Sequence, residues 1–319
     1  MPVFPKPAFP FEYDVAAEVA RLRQHKQTRL IPERSPDTLV VATWNLANLG
    51  AQIRRDQDRS LIAEVLSWFD VIAIQECREN FSDLFDLQFK LGPDYQVVMS
   101  DTAGNDERMS FLYDSTKLKL LEEVGEIAFS PSDLRYIKLP GITQGFEGFD
   151  RTPYIVSFAV GVTSLTFVNV HLIWGDDKPA SLERRALETY AVARWAYLRQ
   201  KSQFSFTREL MVMGDFNMPK SGPGDPIYDA LTKRGLELPA HSTQIASSIA
   251  AAVNYDQIAF LPGTTKKCFT GLKGVFDYDA VIFPELWDDG KNKARFKAYL
   301  RYYISDHRPM WVQLNMNPA

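Results

Sequence analysis

The sequence predicts an α+β fold in which mixed or antiparallel β-sheets are flanked by helices. Short apolar runs of strand type outnumber helical segments along the 319 residues, and several follow one another with no helix between them. The composition is that of a globular chain, with 45% hydrophobic and 24% charged residues. Disordered, collagen-like and coiled-coil chains are therefore excluded.

The N-terminal segment differs in its residue pattern from the rest of the chain. Met1–Pro10 contains four prolines and is predicted to be an extended arm. A helix is predicted over 12–24, where apolar residues recur at helical spacing. The strand pattern begins at Thr38, so we predict an N-terminal arm and helix over 1–37 and one large domain over 38–319.

A strand–helix–strand unit opens the predicted domain. Residues 38–45 and 70–76 are short apolar runs that end in polar residues, and residues 58–69 place apolar side chains on one helical face. A second, long helix is predicted over 182–200. The remaining predicted strands are 95–100, 108–114, 153–160, 165–172, 209–215, 254–261, 276–283 and 307–314.

The charge and the cysteines limit the class of protein. A net charge of −4 disfavours a protein that holds nucleic acid by bulk charge, so a polyanionic partner would meet a local basic patch or a metal ion. Cys77 and Cys268 cannot form a disulfide framework and are predicted to pack in the core. With no signal peptide or long apolar run apparent, we expect a cytoplasmic protein without membrane contact or an obligate protein partner.

Polar residues stand at the ends of several predicted strands. Strands that share a sheet can bring such ends to one edge, so residues distant in sequence can form one site. Carboxylate and amide oxygens suit Mg²⁺ or Mn²⁺, and imidazoles can transfer protons or stabilise charge. No Ser-His-Asp order with a nucleophile elbow and no phosphate-binding glycine loop is present. The strand-end residues are Asn45, Gln75, Glu76, His171, Asp215, Asn217, Asp256, Asp306 and His307.

Six motifs containing these residues occur in a fixed order. They are TWN (43–45), IQE (74–76), NVHL (169–172), GDFN (214–217), YDQI (255–258) and SDHRP (305–309). In this order they closely resemble the endonuclease/exonuclease/phosphatase superfamily, whose fold is DNase I-like, and the match runs from about Thr43 to Trp311. The resemblance implies a four-layer α/β/β/α sandwich of two packed mixed sheets with helices outside. It also implies divalent-metal-dependent hydrolysis of a phosphoester by water.

The resemblance implies roles for the metal-binding and water-activating residues. Glu76 would be the principal metal ligand, with Asn45 and Asp306 beside it. Asp215 would orient and deprotonate the attacking water. Asn217 would steady that water and a phosphate oxygen. A metal ion and a fixed carboxylate of this kind meet the negative charge that builds on a phosphoryl group.

The resemblance also implies how the phosphoryl group is held. His307 would contact it, while Asp256 would hold the imidazole in the required tautomer. His171 would stabilise charge on the phosphate or protonate the leaving oxygen. Arg151 begins an Arg-Thr-Pro segment similar to the family's Arg-x-Pro, which implies a phosphate contact.

The sequence departs from the pattern of some branches of the family, and these departures limit the range of expected substrates. Abasic-site endonucleases usually carry an acidic or amide residue where this chain has Ala47, and Tyr where it has His171. Inositol 5-phosphatases carry Arg where this chain has Gln257. The chain is therefore nearer the DNase I or bacterial nuclease branch, and a phosphodiesterase acting on DNA is expected. The alternatives are a phosphatase or phosphodiesterase on a small-molecule or lipid phosphoester, and a non-catalytic scaffold, which the intact motifs disfavour.

Other conspicuous residues are given structural interpretations. His25 lies in a basic stretch and is expected to be solvated, and His241 is expected to be structural or exposed. Trp174 is expected to pack in the core or at the rim, although it could stack on a base. The glycine-containing segment 141–150 could face the substrate, and the sequence does not indicate what it contacts.

Overall fold

The computed structural model describes residues 3–239, 245–287 and 293–316, so His241 lies outside the described residues. Two mixed β-sheets pack face to face with helices on their outer faces, which confirms the predicted α+β sandwich. The strands are β1 (Thr38–Leu49), β2 (Val71–Cys77), β3 (Tyr95–Met99), β4 (Arg108–Asp114), β5 (Lys119–Glu126), β6 (Tyr154–Val160), β7 (Thr163–His171), β8 (Leu210–Asp215), β9 (Asp256–Phe260), β10 (Phe269–Val275) and β11 (Met310–Asn315).

Each sheet contains one parallel pair among antiparallel neighbours. The first sheet has the order β10-β11-β1-β2-β4-β3, in which β1 and β2 run parallel. The second has the order β5-β6-β7-β8-β9, in which β7 and β8 run parallel. Because parallel strands end at the same edge of a sheet, each pair delivers its terminal side chains to one place.

Helices cover both outer faces. Their bounds are α1 (Val15–Thr28), α2 (Asp56–Leu66), α3 (Ser82–Leu91), α4 (Pro131–Leu134), α5 (Pro179–Lys201), α6 (Pro226–Thr232), α7 (Thr264–Cys268), α8 (Pro284–Trp287) and α9 (Lys293–Tyr303). No helix in the described part of the chain is both long and apolar enough to cross a membrane.

The alternation of strand side chains builds three layers of core. On β1, Leu39 and Val41 face the core between the sheets, whereas Val40, Ala42 and Trp44 face the outer helices. Both faces of β1 are buried, which explains why its sequence is a nearly continuous apolar run. The outer face of the second sheet packs mainly on α5 and α6.

The N-terminal helix packs against the domain. Leu22 and Ile31 join the outer core of the first sheet. The expectation that His25 is solvated is wrong, because the ring is buried and its Nε2 lies 2.7 Å from Asp277 Oδ1. Arg29 binds the same carboxylate through Nε and Nη2, each at 2.6 Å. The proposed boundary between residues 37 and 38 stays a prediction.

The predicted strand over 276–283 is also wrong. That stretch forms a 3₁₀ turn at Tyr278–Ala280, and the strand lies earlier, as β10. Phe276 and Tyr278 owe their apolar pattern to burial in the outer core rather than to a strand face. The edge strand β10 contains two glycines and exposed side chains, so its sequence lacks the apolar pattern that predicts a strand.

Candidate active site

The ends of the two parallel pairs meet where the sheets face each other. Beneath this edge, Gln75 Nε2 donates a hydrogen bond of 2.6 Å to Asn169 Oδ1 and so joins β2 to β7. Asn169 Nδ2 also donates to the carbonyls of Ile74 and Ser110, both at 3.0 Å. A buried polar bridge therefore sets the position of one sheet against the other just below the candidate site.

Close backbone packing brings β8 against β7. Gly214 has φ +137°, and a Cβ at this position would lie 2.0 Å from the carbonyl oxygen of Val170. Only glycine tolerates this approach, which explains the first residue of the GDFN motif. The residues that follow, Asp215 and Asn217, are thereby brought beside the end of β7.

Asn45 connects the carboxylates of the two sheets. Its Nδ2 donates to Glu76 Oε1 at 2.9 Å and to Asp215 Oδ2 at 3.2 Å. Its Oδ1 accepts from the backbone N–H of Ala47 at 3.1 Å. All of these groups are buried, so one amide separates two negative charges that would otherwise repel each other.

Glu76 is held by its local backbone. The residue has φ +62°, and the register of β1 against β2 shifts between Asn45 and Leu49. Its Oε2 accepts from the N–H of Asn48 at 2.8 Å, and Asn48 itself has φ +54°. Left-handed backbone at residues other than glycine costs energy, and such strain concentrates at functional sites.

Asp256 and His307 form a buried pair. The His307 Nδ1 lies 2.8 Å from Asp256 Oδ2, and Nε2 lies 3.9 Å from Asp215 Oδ2. Burial lowers the pKa of His307, but the carboxylates of Asp256 and Asp215 outweigh it and raise that pKa well above its usual value. Trp44 Nε1 donates to the His307 carbonyl at 2.8 Å and fixes the backbone behind the ring.

His171 lies across Asp215 from His307. Its Nε2 is 3.8 Å from Asp215 Oδ2, and its Nδ1 is 2.9 Å from Glu107 Oε2, an ion-pair distance without hydrogen-bond alignment. Burial raises the pKa of Glu107, but His171 and Arg151 overcome burial and lower it to about 2. Glu107 was not predicted from sequence, because it lies in a charged run before β4 with no motif around it.

Asn217 holds the end of β7 in place. Its backbone N–H donates to Asp215 Oδ1 at 2.8 Å, and its Nδ2 donates to the Leu172 carbonyl at 2.7 Å. Arg185, also missed from sequence, is fully buried and donates to the carbonyls of Asn217 at 3.0 Å and Ile173 at 3.2 Å. The loop after His171 is thus tied to the GDFN segment.

Two of the predicted site residues, Arg151 and Asp306, contact protein groups that the sequence did not predict. Arg151 is buried and donates to the carbonyls of His171 and Leu172, each at 2.8 Å, so its guanidinium supports the backbone beside the site. Asp306 Oδ2 accepts from Arg301 Nε at 3.4 Å, and among the described residues no hydrogen bond joins it to Glu76. The phosphate contact of Arg151 and the metal contact of Asp306 stay predictions.

The donor set fits a divalent cation that prefers oxygen. Asp215, Asp256 and His307 each offer a ligand atom, and these atoms lie within 4.8 Å of one another. Asp256 Oδ1 is buried with no hydrogen-bond partner among the described residues. The predicted ligand set, Glu76 with Asn45 and Asp306, shares no residue with this group. Both sets are rich in hard oxygen donors and contain no thiolate, as Mg²⁺ or Mn²⁺ requires.

Comparisons with known proteins agree with this fold. No protein-family model matches the chain. A deoxyribonuclease of Thioalkalivibrio sp. (strain K90mix) is 25% identical over 306 residues, covering 90% of this chain and 74% of that protein. The human endonuclease/exonuclease/phosphatase family domain-containing protein 1 is 27% identical over 168 residues, which is 50% of this chain and 26% of that protein.

A solved structure gives the same architecture. The mannosyl-6-phosphatase Bt3783 of Bacteroides thetaiotaomicron superposes with a TM-score of 0.54 at 17% identity, over 86% of this chain and 98% of that one. The fold is that of the DNase I-like class. The resemblance to the endonuclease/exonuclease/phosphatase superfamily that the six motifs predict is confirmed by these relatives and by the solved structures. The prediction of a hydrolase acting on phosphoester bonds is likewise confirmed at the level of this class.

Proposed function

We propose that the protein is a divalent-metal-dependent phosphodiesterase that cleaves DNA by attack of water. The observation that carries the proposal is the buried group at the meeting edge of the sheets, where His171 and His307 both place Nε2 within 4 Å of Asp215 Oδ2. A carboxylate between two imidazoles can take a proton from water while the imidazoles face the charge of a phosphoryl group.

Glu76 is the proposed metal ligand, with Asn45 and Asp306 beside it. Each Glu76 oxygen accepts one hydrogen bond and keeps a free lone pair for a cation. A bound Mg²⁺ or Mn²⁺ would supply positive charge against the phosphoryl oxygens. The net charge of −4 makes this local charge the more important for a polyanionic substrate.

The remaining catalytic roles are assigned to side chains whose positions are fixed by neighbouring groups. Asp215 accepts a hydrogen bond at each oxygen, from the Asn217 N–H and the Asn45 amide, so its carboxylate is fixed toward the attacking water. Asp256 fixes the His307 ring through Nδ1 and directs Nε2 to a phosphoryl oxygen. His171, backed by Glu107, faces the leaving oxygen.

One observation favours DNA as the substrate, and a second favours a nucleic acid in general. The relative from Thioalkalivibrio that shares most of the chain length is named a deoxyribonuclease. The Tyr255 ring centroid lies 6.1 Å from that of His307, and the Trp174 ring centroid lies 5.3 Å from that of Tyr255. Both rings are half-buried, so each keeps a surface on which a base next to the cleaved phosphate can stack.

A substrate panel tests this proposal. Plasmid, single-stranded DNA, RNA, an abasic duplex, inositol phosphates and bis-p-nitrophenyl phosphate are each incubated with Mg²⁺ and with Mn²⁺. We expect cleavage of plasmid that EDTA abolishes. The isosteric variant Asp215→Asn should lower kcat by about 10²–10⁴, the usual contribution of a general base. Release of phosphate from a monoester with plasmid left intact would instead establish the phosphatase alternative.

A further inference from the structure

A row of basic side chains on α9 leads toward the candidate active site. Lys293, Lys297 and Arg301 are spaced by four residues and therefore share one face of the helix. Successive members are about 6 Å apart along the axis, a spacing close to that of successive phosphates in an unstacked strand. Arg301 ends the row, with its Nε 3.4 Å from Asp306 Oδ2.

The face of α9 adjoining this row anchors the helix. Phe296, Tyr299, Leu300 and Tyr303 are buried in the outer core of the first sheet. The helix contains no acidic residue between Lys293 and Tyr303. Packing thus fixes the helix, and the charge presented along its outer side is uniformly positive although the whole chain is acidic.

A groove of about 770 Å³ runs beside this row. Lys293 and Lys297 line it together with Phe296 and Trp287, and the Trp287 side chain is 44% exposed. Among the described residues, neither lysine forms an ion pair with a carboxylate. The groove therefore offers cations and an aromatic ring together, which is the combination that binds unpaired nucleic-acid strands.

The acidic residues of the groove do not cancel this charge. Asp279 accepts from Arg308 Nε and Nη2, both at 2.7 Å. Asp277 is bound by Arg29 through two hydrogen bonds of 2.6 Å. Each carboxylate is thus neutralised by an arginine, whereas Lys293 remains exposed to an incoming strand.

The groove adjoins the candidate active site through one short segment. Ser248 forms a bridge with His307, and the Ile249 N–H donates to the Asp306 carbonyl at 2.9 Å. On its other side, the carbonyl of Ala250 accepts from Lys297 Nζ at 3.4 Å. A strand whose phosphate lies at His307 therefore needs to cross only this segment to reach the groove.

We propose that the α9 groove binds the backbone of a single nucleic-acid strand that continues from the cleaved phosphodiester. The lysines contact successive phosphates, Arg301 bridges the row to the site, and Trp287 stacks on an unpaired base. The inference rests on the proposed nuclease function and adds its substrate class, a single-stranded segment that extends beyond the scissile bond.

Substrate length and salt test the groove. Rates are measured on thymidine 4-mers and 20-mers, the corresponding uridine oligomers and bis-p-nitrophenyl phosphate, for the wild type and for the double variant Lys293→Gln/Lys297→Gln. We expect the wild type to prefer the 20-mer, and the variant to lose on the order of tenfold in kcat/KM on it. Removing two phosphate contacts should reduce the salt slope of log(kcat/KM) by about 1.4, at roughly 0.7 for each contact on a single strand.

A matched control variant distinguishes the effect of where the two lysines lie from the effect of the protein's net charge. Lys119→Gln/Lys201→Gln removes the same charge elsewhere. Lys119 lies at the end of the second sheet remote from His171, as its pairing with Ala159 shows, and Lys201 is the last residue of α5. This control should keep the wild-type length preference and salt slope.

The outcomes distinguish the two proposals. If the wild type cleaves bis-p-nitrophenyl phosphate but no oligonucleotide, the nuclease function itself fails. If the wild type prefers the 20-mer and the α9 double variant keeps that preference and its salt slope, the groove assignment alone is refuted. Inhibition by polyglutamate equal to that by an uncleaved strand of the same charge would also refute it, because an acidic peptide would then fit equally well.

Discussion

At the scale of single residues, buried charge is tolerated only where a partner lies at hydrogen-bond distance. Asp256 is fully buried, and its carboxylate faces the His307 imidazole at 2.8 Å. A lone buried carboxylate would become neutral, whereas the Asp256 carboxylate beside the ring raises the pKa of His307 well above its usual value despite burial. The family resemblance carried by the YDQI and SDHRP motifs implied this pairing, and its role in catalysis is the first prediction.

Removing the orienting carboxylate should lower kcat more than it raises KM. Asp256→Asn leaves the ring in place but no longer favours its charged form, and the expected loss is roughly 10²–10⁴ by analogy with the carboxylate of a serine-protease triad. Steady-state kinetics of Asp256→Asn, His307→Ala and the double variant measure the coupling. Losses that are fully additive in ΔΔG‡ would show that the two residues do not act as a unit.

The sequence indicated the motif residues but not their supports. His171 and Asp215 could be predicted because the motifs keep their order along the chain. Glu107 and Arg185 could not, because a glutamate before a strand and an arginine on a helix have no distinctive pattern. Their function appears only when folding places Glu107 at His171 Nδ1 and Arg185 on the Asn217 carbonyl.

At the scale of elements, strands that alternate strongly were predictable and weak edge strands were not. The predicted strand 108–114 coincides with β4, and the helix 182–200 falls within α5. Strand β5 was missed because it is an edge strand with exposed charged residues, which gives it no apolar face to recognise. Burial by tertiary contacts likewise made 276–283 resemble a strand.

The attachment of α1 to the domain should depend on pH. Burial raises the pKa of Asp277, but hydrogen bonds from Arg29 and His25 outweigh burial and hold it below its usual value. A carboxylate with a depressed folded-state pKa stabilises the fold above its ordinary pKa, and this contribution is lost as the pH falls through the folded-state value. Asp277→Asn should therefore destabilise the protein by about 1.5–3 kcal/mol at pH 7.

Urea unfolding of the wild type and Asp277→Asn at pH 7, 5 and 3 provides the measurement. The difference in unfolding free energy should persist at pH 5 and shrink at pH 3, which lies below the ordinary pKa of the carboxylate in the unfolded chain. An equal difference at all three pH values would contradict the ionic origin of the contact. The exposed residue Asp133, mutated to Asn, serves as the control.

At the scale of the whole molecule, the candidate site depends on how the two sheets are placed against each other. Asn45 and Glu76 belong to the first sheet, whereas His171, Asp215 and Asp256 belong to the second. The sequence predicted two packed sheets through the family resemblance, but residue patterns alone do not specify which side chains bridge them. The Gln75–Asn169 hydrogen bond is one of the buried contacts that join the two sheets.

Removing the Gln75–Asn169 hydrogen bond should lower both the stability and the activity of the protein. Asn169→Ala leaves the buried Gln75 amide without its 2.6 Å acceptor and is expected to cost about 1–3 kcal/mol of unfolding free energy. Activity should also fall at urea concentrations below the unfolding midpoint, because the two halves of the site lose their mutual position first. Gln96→Ala, at an exposed amide, is the control, and an unchanged midpoint in Asn169→Ala would refute the role.

The pairing of β1 with β11 has a consequence for biosynthesis. These strands adjoin in the first sheet, with Thr38 opposite Asn315, although the ribosome makes them almost a full chain length apart. Until β11 emerges, β1 presents an open edge and the nascent chain lacks His307, the last site residue to be translated. The candidate site therefore cannot assemble until the ribosome has made His307 and the strand that pairs with β1.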